Sequence, residues 1–120
     1  MNILIAEDDY MIQTLMDICM GILEWDYKLV ENGLQAVNIC KTVDFDAIIM
    51  DVYMPVMNGI EAARQIRIFN TMTPIIAVSS HIDYPTKIEC AKAGINAFMA
   101  KPFTEDEIRE AVIKLVVAAN

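Results

Sequence analysis

This chain contains few glycines and prolines, and few basic residues. Four glycines and four prolines occur in 120 residues, and no linker, low-complexity tract or internal repeat finer than one strand–helix unit is visible. Nine lysines and arginines stand against seventeen aspartates and glutamates, which gives a formal net charge of −8. A surface this acidic repels phosphate backbones and anionic lipid, so direct binding to nucleic acid is not expected.

Long apolar runs and paired cysteines are also missing. No uninterrupted apolar stretch approaches the roughly 18 residues of a membrane helix, and we expect no signal peptide. Membrane insertion is therefore not expected, and the cytoplasm is the default location. The three cysteines, Cys19, Cys40 and Cys90, are odd in number and show no C-x-x-C spacing, which favours buried thiols in a reducing compartment.

Apolar residues, in contrast, make up 56 % of the chain, enough for a substantial core in one domain over residues 1–120. Five short apolar runs recur without polar alternation, which is typical of strands buried on both faces of a parallel sheet. These predicted strands are Ile3–Ala6, Lys28–Val30, Ala47–Met50, Ile75–Val78 and Ala97–Ala100. Segments with helical spacing separate them, so the sequence predicts a doubly wound α/β fold with five strands and five helices.

Local signals mark several helix ends. Thr104 and Glu107 have the spacing of a capping box, and Phe103 and Ile108 occupy the positions of a hydrophobic staple. Pro85 suits the first turn of the fourth helix. Gly94 is placed to end that helix.

Chemically useful groups follow the predicted strands at their carboxyl ends, where ligands bind in such sheets. They are Glu7, Asp8 and Asp9 after the first strand, Asp51 after the third, Ser79 and Ser80 after the fourth, and Lys101 after the fifth. Clustered carboxylates require a hard divalent cation, most simply Mg²⁺. A carboxylate nucleophile, a metal, an ammonium and a hydroxyl are the groups that in-line phosphoryl transfer needs.

Four segments carry a resemblance that covers nearly the whole chain: ILIAEDD, IIMDVYMPVMNG, IIAVSSH and AFMAKPF. The sequence resembles the receiver domain of two-component response regulators and hybrid histidine kinases. The resemblance implies a flavodoxin-like parallel sheet with strand order 2-1-3-4-5. It also implies a signalling domain in a phosphorelay, not an enzyme beyond catalysis of its own phosphorylation and dephosphorylation.

The resemblance also implies roles for the acidic site. Asp51 would be the phosphoacceptor, taking a phosphoryl group from a histidine kinase or a histidine phosphotransfer protein. Asp8, Asp51 and the backbone carbonyl of Tyr53 would hold Mg²⁺ or Mn²⁺, with Glu7 acting through water. Lys101 would pair with the phosphoryl group. The family pattern favours Glu7 and Asp8 over Asp8 and Asp9 as the metal pair.

Conformational switching is the second implied property. Ser79 stands where the family has its switch hydroxyl, and Phe98 stands where it has its switch aromatic residue, without the hydroxyl of the commoner tyrosine. Pro102 follows a peptide bond that is commonly cis in this family. Tyr53 and His81 occupy variable positions and are expected to tune the lifetime of the phosphorylated state. A phosphorylation-dependent homodimer is left open.

Other functions fit these residues less well. A haloacid-dehalogenase-type phosphatase needs a second aspartate two residues after Asp51, where this chain has Tyr53. A flavin module needs a phosphate cradle after the first strand, where three acids would repel phosphate. A receiver-like scaffold without phosphotransfer would lack a site residue, and none is missing here. His81 is disfavoured as a phosphoryl carrier because a histidine just after a strand is usually a solvated loop residue. The length suits either a stand-alone receiver or one cut from a longer protein.

Overall fold

The computed structural model describes residues 1–119, in which strand and helix alternate five times. The strands are β1 (Asn2–Ala6), β2 (Asp26–Val30), β3 (Ala47–Asp51), β4 (Ile75–Ser79) and β5 (Ala97–Ala100). The helices are α1 (Tyr10–Leu23), α2 (Gly33–Cys40), α3 (Gly59–Phe69), α4 (Tyr84–Lys92) and α5 (Glu105–Ala119).

All strand pairs are parallel, and the sheet has the order β2-β1-β3-β4-β5. This confirms the predicted doubly wound α/β fold. Two apolar cores cover the two sheet faces, one formed with α2, α3 and α4 and the other with α1 and α5. The three cysteines are buried and unpaired, as predicted. None of the helices in residues 1–119 combines the length and hydropathy needed to cross a bilayer.

The edge strand β2 differs from the sequence prediction. It begins at Asp26 rather than Lys28, and all five of its residues are exposed or half-buried. The expected continuous burial holds for β3 and β4, which lie inside the sheet with neighbours on both sides. An edge strand has a sheet neighbour on one side only and is less covered than the central strands, so the charged side chains of Asp26 and Lys28 stay in contact with water.

Polar side chains cap the helices that lead away from the carboxyl edge of the sheet. Asp9 accepts the amide of Met11 at the start of α1. Asn58 accepts the amide of Glu61 at the start of α3. Each cap satisfies an otherwise unpaired amide of a first turn, so the loops that carry the acidic residues end at defined positions.

The residues predicted to start and end the last two helices occupy those positions. Pro85 lies in the first turn of α4, and Gly94 follows that helix with φ +94°. The amide of Glu107 donates to the Thr104 hydroxyl at 3.2 Å. The reciprocal contact differs from a standard capping box, because the Glu107 carboxylate accepts the Thr104 hydroxyl at 3.2 Å.

Candidate functional site

Three strand ends bring a lysine and two acids into contact. Strand β3 is one residue longer than predicted, so Asp51 is its last residue rather than the first residue after it. Glu7 follows β1, and Lys101 follows β5. The Lys101 Nζ lies 2.7 Å from the Glu7 Oε1 and 3.0 Å from the Asp51 Oδ2. Glu7 is 2 % exposed and Asp51 is 7 % exposed. The ammonium therefore partly neutralises two carboxyl groups that the fold has removed from water.

A third acid completes a group of oxygen donors. Carboxylate oxygens of Glu7, Asp8 and Asp51 all lie within 4.8 Å of one another. Asp9 is instead engaged in capping α1. Converging carboxylates, one of them on exposed Asp8, are the donor set that Mg²⁺ and Mn²⁺ accept. The residues present therefore fit a divalent cation.

Electrostatics at this site favour a proton on Glu7 when no cation is bound. Burial and the hydrogen bond with Asp51 raise the pKa of Glu7 to about 8, and the nearby Lys101 offsets only part of this rise. Burial alone would lower the pKa of Lys101, but its contacts with Glu7 and Asp51 outweigh burial and raise it. Lys101 therefore stays charged. Its single positive charge cannot fully offset two buried carboxylates, so the neutral form of Glu7 is favoured.

The predicted switch pair lies on neighbouring strands. Ser79 ends β4, and its hydroxyl donates to the His81 carbonyl oxygen at 3.0 Å. Phe98 on β5 is 38 % exposed, so its ring faces partly outward. The Lys101–Pro102 peptide bond is cis, as the resemblance suggested.

The two positions expected to tune lifetime both lie on loops at the site. Tyr53 is 60 % exposed, and its amide donates to the Asp51 Oδ1 at 3.3 Å. His81 is exposed in the loop after β4. The structure thus places both residues beyond the carboxyl ends of β3 and β4.

Glycines behind the site were overlooked at the level of sequence. A Cβ on Gly59 would lie 2.2 Å from the Asp51 carbonyl oxygen, and one on Gly33 would lie 2.4 Å from the Met57 carbonyl oxygen. The Gly59 amide also donates to the Val52 carbonyl at 2.8 Å. These close approaches hold the loop after Asp51 against α2 and α3. The signals in the sequence are the two Asn-Gly pairs, at 32–33 and 58–59.

Comparisons with known proteins agree with this geometry. The family model of the response regulator receiver domain matches residues 3–113. Two-component response regulator 24 of Arabidopsis thaliana is 32% identical over 113 residues, which cover 93% of this chain and 81% of the relative. Other relatives are longer: the chain spans 23% of the regulatory protein AtoC of Escherichia coli.

Solved structures show the same fold. The receiver domain of sensor histidine kinase PA1611 of Pseudomonas aeruginosa, which has a magnesium ion in its active-site cleft, is 32% identical with a TM-score of 0.90, covering 97% of both chains. The Saccharomyces cerevisiae Ssk1 receiver domain, in complex with the histidine phosphotransfer protein Ypd1, is 29% identical with a TM-score of 0.88, covering 98% of this chain and 89% of that one. The chain therefore belongs to the receiver-domain family of two-component response regulators.

Proposed function

We propose that Asp51 accepts a phosphoryl group from a phosphohistidine of a histidine kinase or a histidine phosphotransfer protein. The observation that carries this proposal is the contact of Lys101 with both Asp51 and Glu7 at a strand edge where three carboxylates converge. A fold that needed only stability would gain little from burying two acids beside one lysine. The complex of the related Ssk1 receiver with Ypd1 supports this kind of partner.

Mg²⁺ or Mn²⁺ is the cofactor that the donor set fits. Asp8, Asp51 and the Tyr53 carbonyl would bind it directly, and Glu7 would act through water. The magnesium ion in the related PA1611 receiver supports this assignment. When bound, the cation neutralises charge on the phosphoryl oxygens during transfer.

The protein's own groups divide the work of phosphoryl transfer. A carboxylate oxygen of Asp51 attacks phosphorus as the bond from phosphorus to the histidine nitrogen breaks, and the imidazole leaves with that electron pair. Lys101, already 3.0 Å from Asp51, moves its ammonium onto the incoming phosphoryl oxygens. The Ser79 hydroxyl exchanges its bond to His81 for another of those oxygens, and the space it leaves accommodates the Phe98 ring.

Hydrolysis of the aspartyl phosphate ends the signal. A water that attacks phosphorus opposite the Asp51 oxygen releases phosphate and restores the carboxylate. The exposed Tyr53 ring shields this approach and slows the reaction, while His81 flanks the same path. We infer that the chain catalyses only its own phosphorylation and dephosphorylation and acts as a single cytoplasmic receiver domain over residues 1–120.

The exposed face of α1 supports a protein donor. α1 starts directly after the acidic loop, and its outward side chains Tyr10, Met11, Ile18 and Ile22 are apolar and exposed. On a chain of net charge −8, such a face beside the site suits contact with a helical partner rather than with water.

A small donor tests the proposal without the cognate kinase. Phosphoramidate carries the same phosphorus–nitrogen bond as phosphohistidine, and intact-protein mass spectrometry counts the phosphoryl groups transferred. Wild type should gain one group in Mg²⁺ and none in EDTA, and Asp51→Asn should gain none. Asp44→Asn is the matched control, because Asp44 is exposed before β3 at the opposite edge of the sheet. Labelling of Asp51→Asn to the same extent as wild type would refute the proposal, and no labelling of either protein would favour a scaffold role.

A further inference from the structure

A lysine on α4 lies over the ring of Phe98. The Lys87 Nζ is 6.0 Å from the centroid of that ring, at the outer limit of the distance at which a cation is attracted to an aromatic face. Within residues 1–119 the Lys87 ammonium forms no ion pair, although the chain carries seventeen acids. The other lysine of α4, Lys92, has its Nζ 3.9 Å from the Glu89 Oε1. Lys87 is thus directed at a ring rather than at a carboxylate.

The ring has a second place to go. A cavity of about 230 Å³ lies between the loop after β4 and the start of α4, and Ser79, His81, Lys87, Phe98 and Met99 are among the residues that line it. This volume is large enough for a phenyl ring. The structure shows Phe98 in an outward position, where it is 38 % exposed, and the cavity has room for the inward position that the proposed switch requires.

Phenylalanine has no hydroxyl with which to fix either position. In a tyrosine, a hydrogen bond of the hydroxyl could stabilise one of the two positions. The Phe98 ring can instead be stabilised by a cation over its face. Burial favours the inward position because it removes apolar surface from water. An opposing interaction is needed to keep the ring outward, and Lys87 supplies it.

The helix that carries Lys87 is itself lightly held. Of α4, only Cys90 is buried, where it joins the apolar core that α3 also lines, and the ion pair between α4 and α3 is the exposed one of Arg64 and Glu89 at 3.1 Å. Exposed ion pairs contribute little to stability. The interaction between Lys87 and Phe98 therefore couples the ring position to the placement of α4.

We propose that Lys87 is a positioning residue that holds the Phe98 ring outward in the unphosphorylated protein and so keeps the cavity beside Ser79 free of the ring. This inference rests on the proposed switching role of Phe98. An exposed cation–π contact corresponds to about a two- to five-fold bias in the ratio of outward to inward rings. Lys87 thereby sets how much of the inward form exists before phosphorylation.

The test compares ring positions in the unphosphorylated, metal-free protein. Carbon-13 and nitrogen-15 couplings to the Phe98 Cγ report its χ1 rotamers, and contacts between ring protons and the Ser79 methylene report the inward form. Lys87→Met keeps the aliphatic stem and removes the charge, and it should lower the outward-to-inward ratio about two- to five-fold. Lys87→Arg should restore the wild-type ratio. Lys92→Met removes the same charge from the same helix and should change nothing.

The outcomes separate this inference from the proposed function. Unchanged couplings in Lys87→Met, or an equal shift in Lys92→Met, would overturn the positioning role. Failure of Asp51 to accept phosphate would overturn the proposed function while leaving the rotamer measurement valid, because that measurement uses no phosphate donor. With both intact, Lys87→Met should also raise the apparent affinity for beryllofluoride with Mg²⁺ by a similar factor, since the inward form is already more populated.

Discussion

Raising the pH of the metal-free protein should destabilise it through one carboxyl group, that of Glu7. Burial and contact with Asp51 raise the pKa of Glu7 from 4.5 to about 8. Between these two values the folded chain holds a proton that the unfolded chain has released. The stability that this proton contributes is complete below pH 4.5 and is lost as the pH rises through about 8.

One proton gives a definite slope. The free energy of unfolding should fall by at most about 1.4 kcal/mol per pH unit. Glu7 is 2 % exposed, so solvent screening reduces this figure little. From about pH 5.5 to about pH 7.5 the loss should be on the order of 2 kcal/mol, a large part of the stability of a small domain.

Urea denaturation in EDTA measures this loss when the difference between wild type and Glu7→Gln is plotted against pH. The substitution also alters the contact with Lys101, but that changes the level of the curve and not its slope. Asp51→Asn should shorten the pH range over which stability falls, because Asp51 contributes to the raised pKa of Glu7. Glu110→Gln, at an exposed position on α5, should reproduce the wild-type curve. A flat difference curve would refute the reasoning.

Three further outcomes are expected. Asp51→Asn should raise the melting temperature in EDTA and reduce stabilisation by Mg²⁺, because it removes one of the opposed acids; a lower melting temperature would contradict this. Val56→Gly should stabilise the fold by about 1 kcal/mol in urea denaturation, since Val56 is 77 % exposed with φ +68°, where a β-branched residue is strained. Tyr53→Ala should speed loss of phosphate about 3–10-fold in a phosphate-release assay; an unchanged rate would exclude shielding.

The sequence predicted those features that depend on neighbouring residues. Continuous apolarity identified β3 and β4, whose burial on both faces leaves a direct compositional trace. Gly94 and Pro85 act through backbone geometry alone, so their effects on α4 were visible without the fold. Asp51 was singled out because it directly follows the third apolar run.

Features that depend on distance in space could not be read in this way. The contact between Lys101 and Glu7 joins residues 94 positions apart, and no local pattern indicates that the lysine would neutralise both acids. The edge position of β2 follows from strand order, which sets how many neighbours a strand has. The left-handed conformation of Val56 contradicts its intrinsic preference, so it arises from the loop that the surrounding structure imposes.

The chemical identity of the phosphorylated residue tests the central claim most directly. An acyl phosphate is reduced by borohydride, which would convert a phosphorylated Asp51 to homoserine, and peptide mass spectrometry then locates the changed residue. After treatment with phosphoramidate and Mg²⁺, the account predicts homoserine at position 51 and at no other aspartate. Reduction at Asp8 or Asp9, or phosphate retained on His81 with Asp51 unchanged, would contradict it.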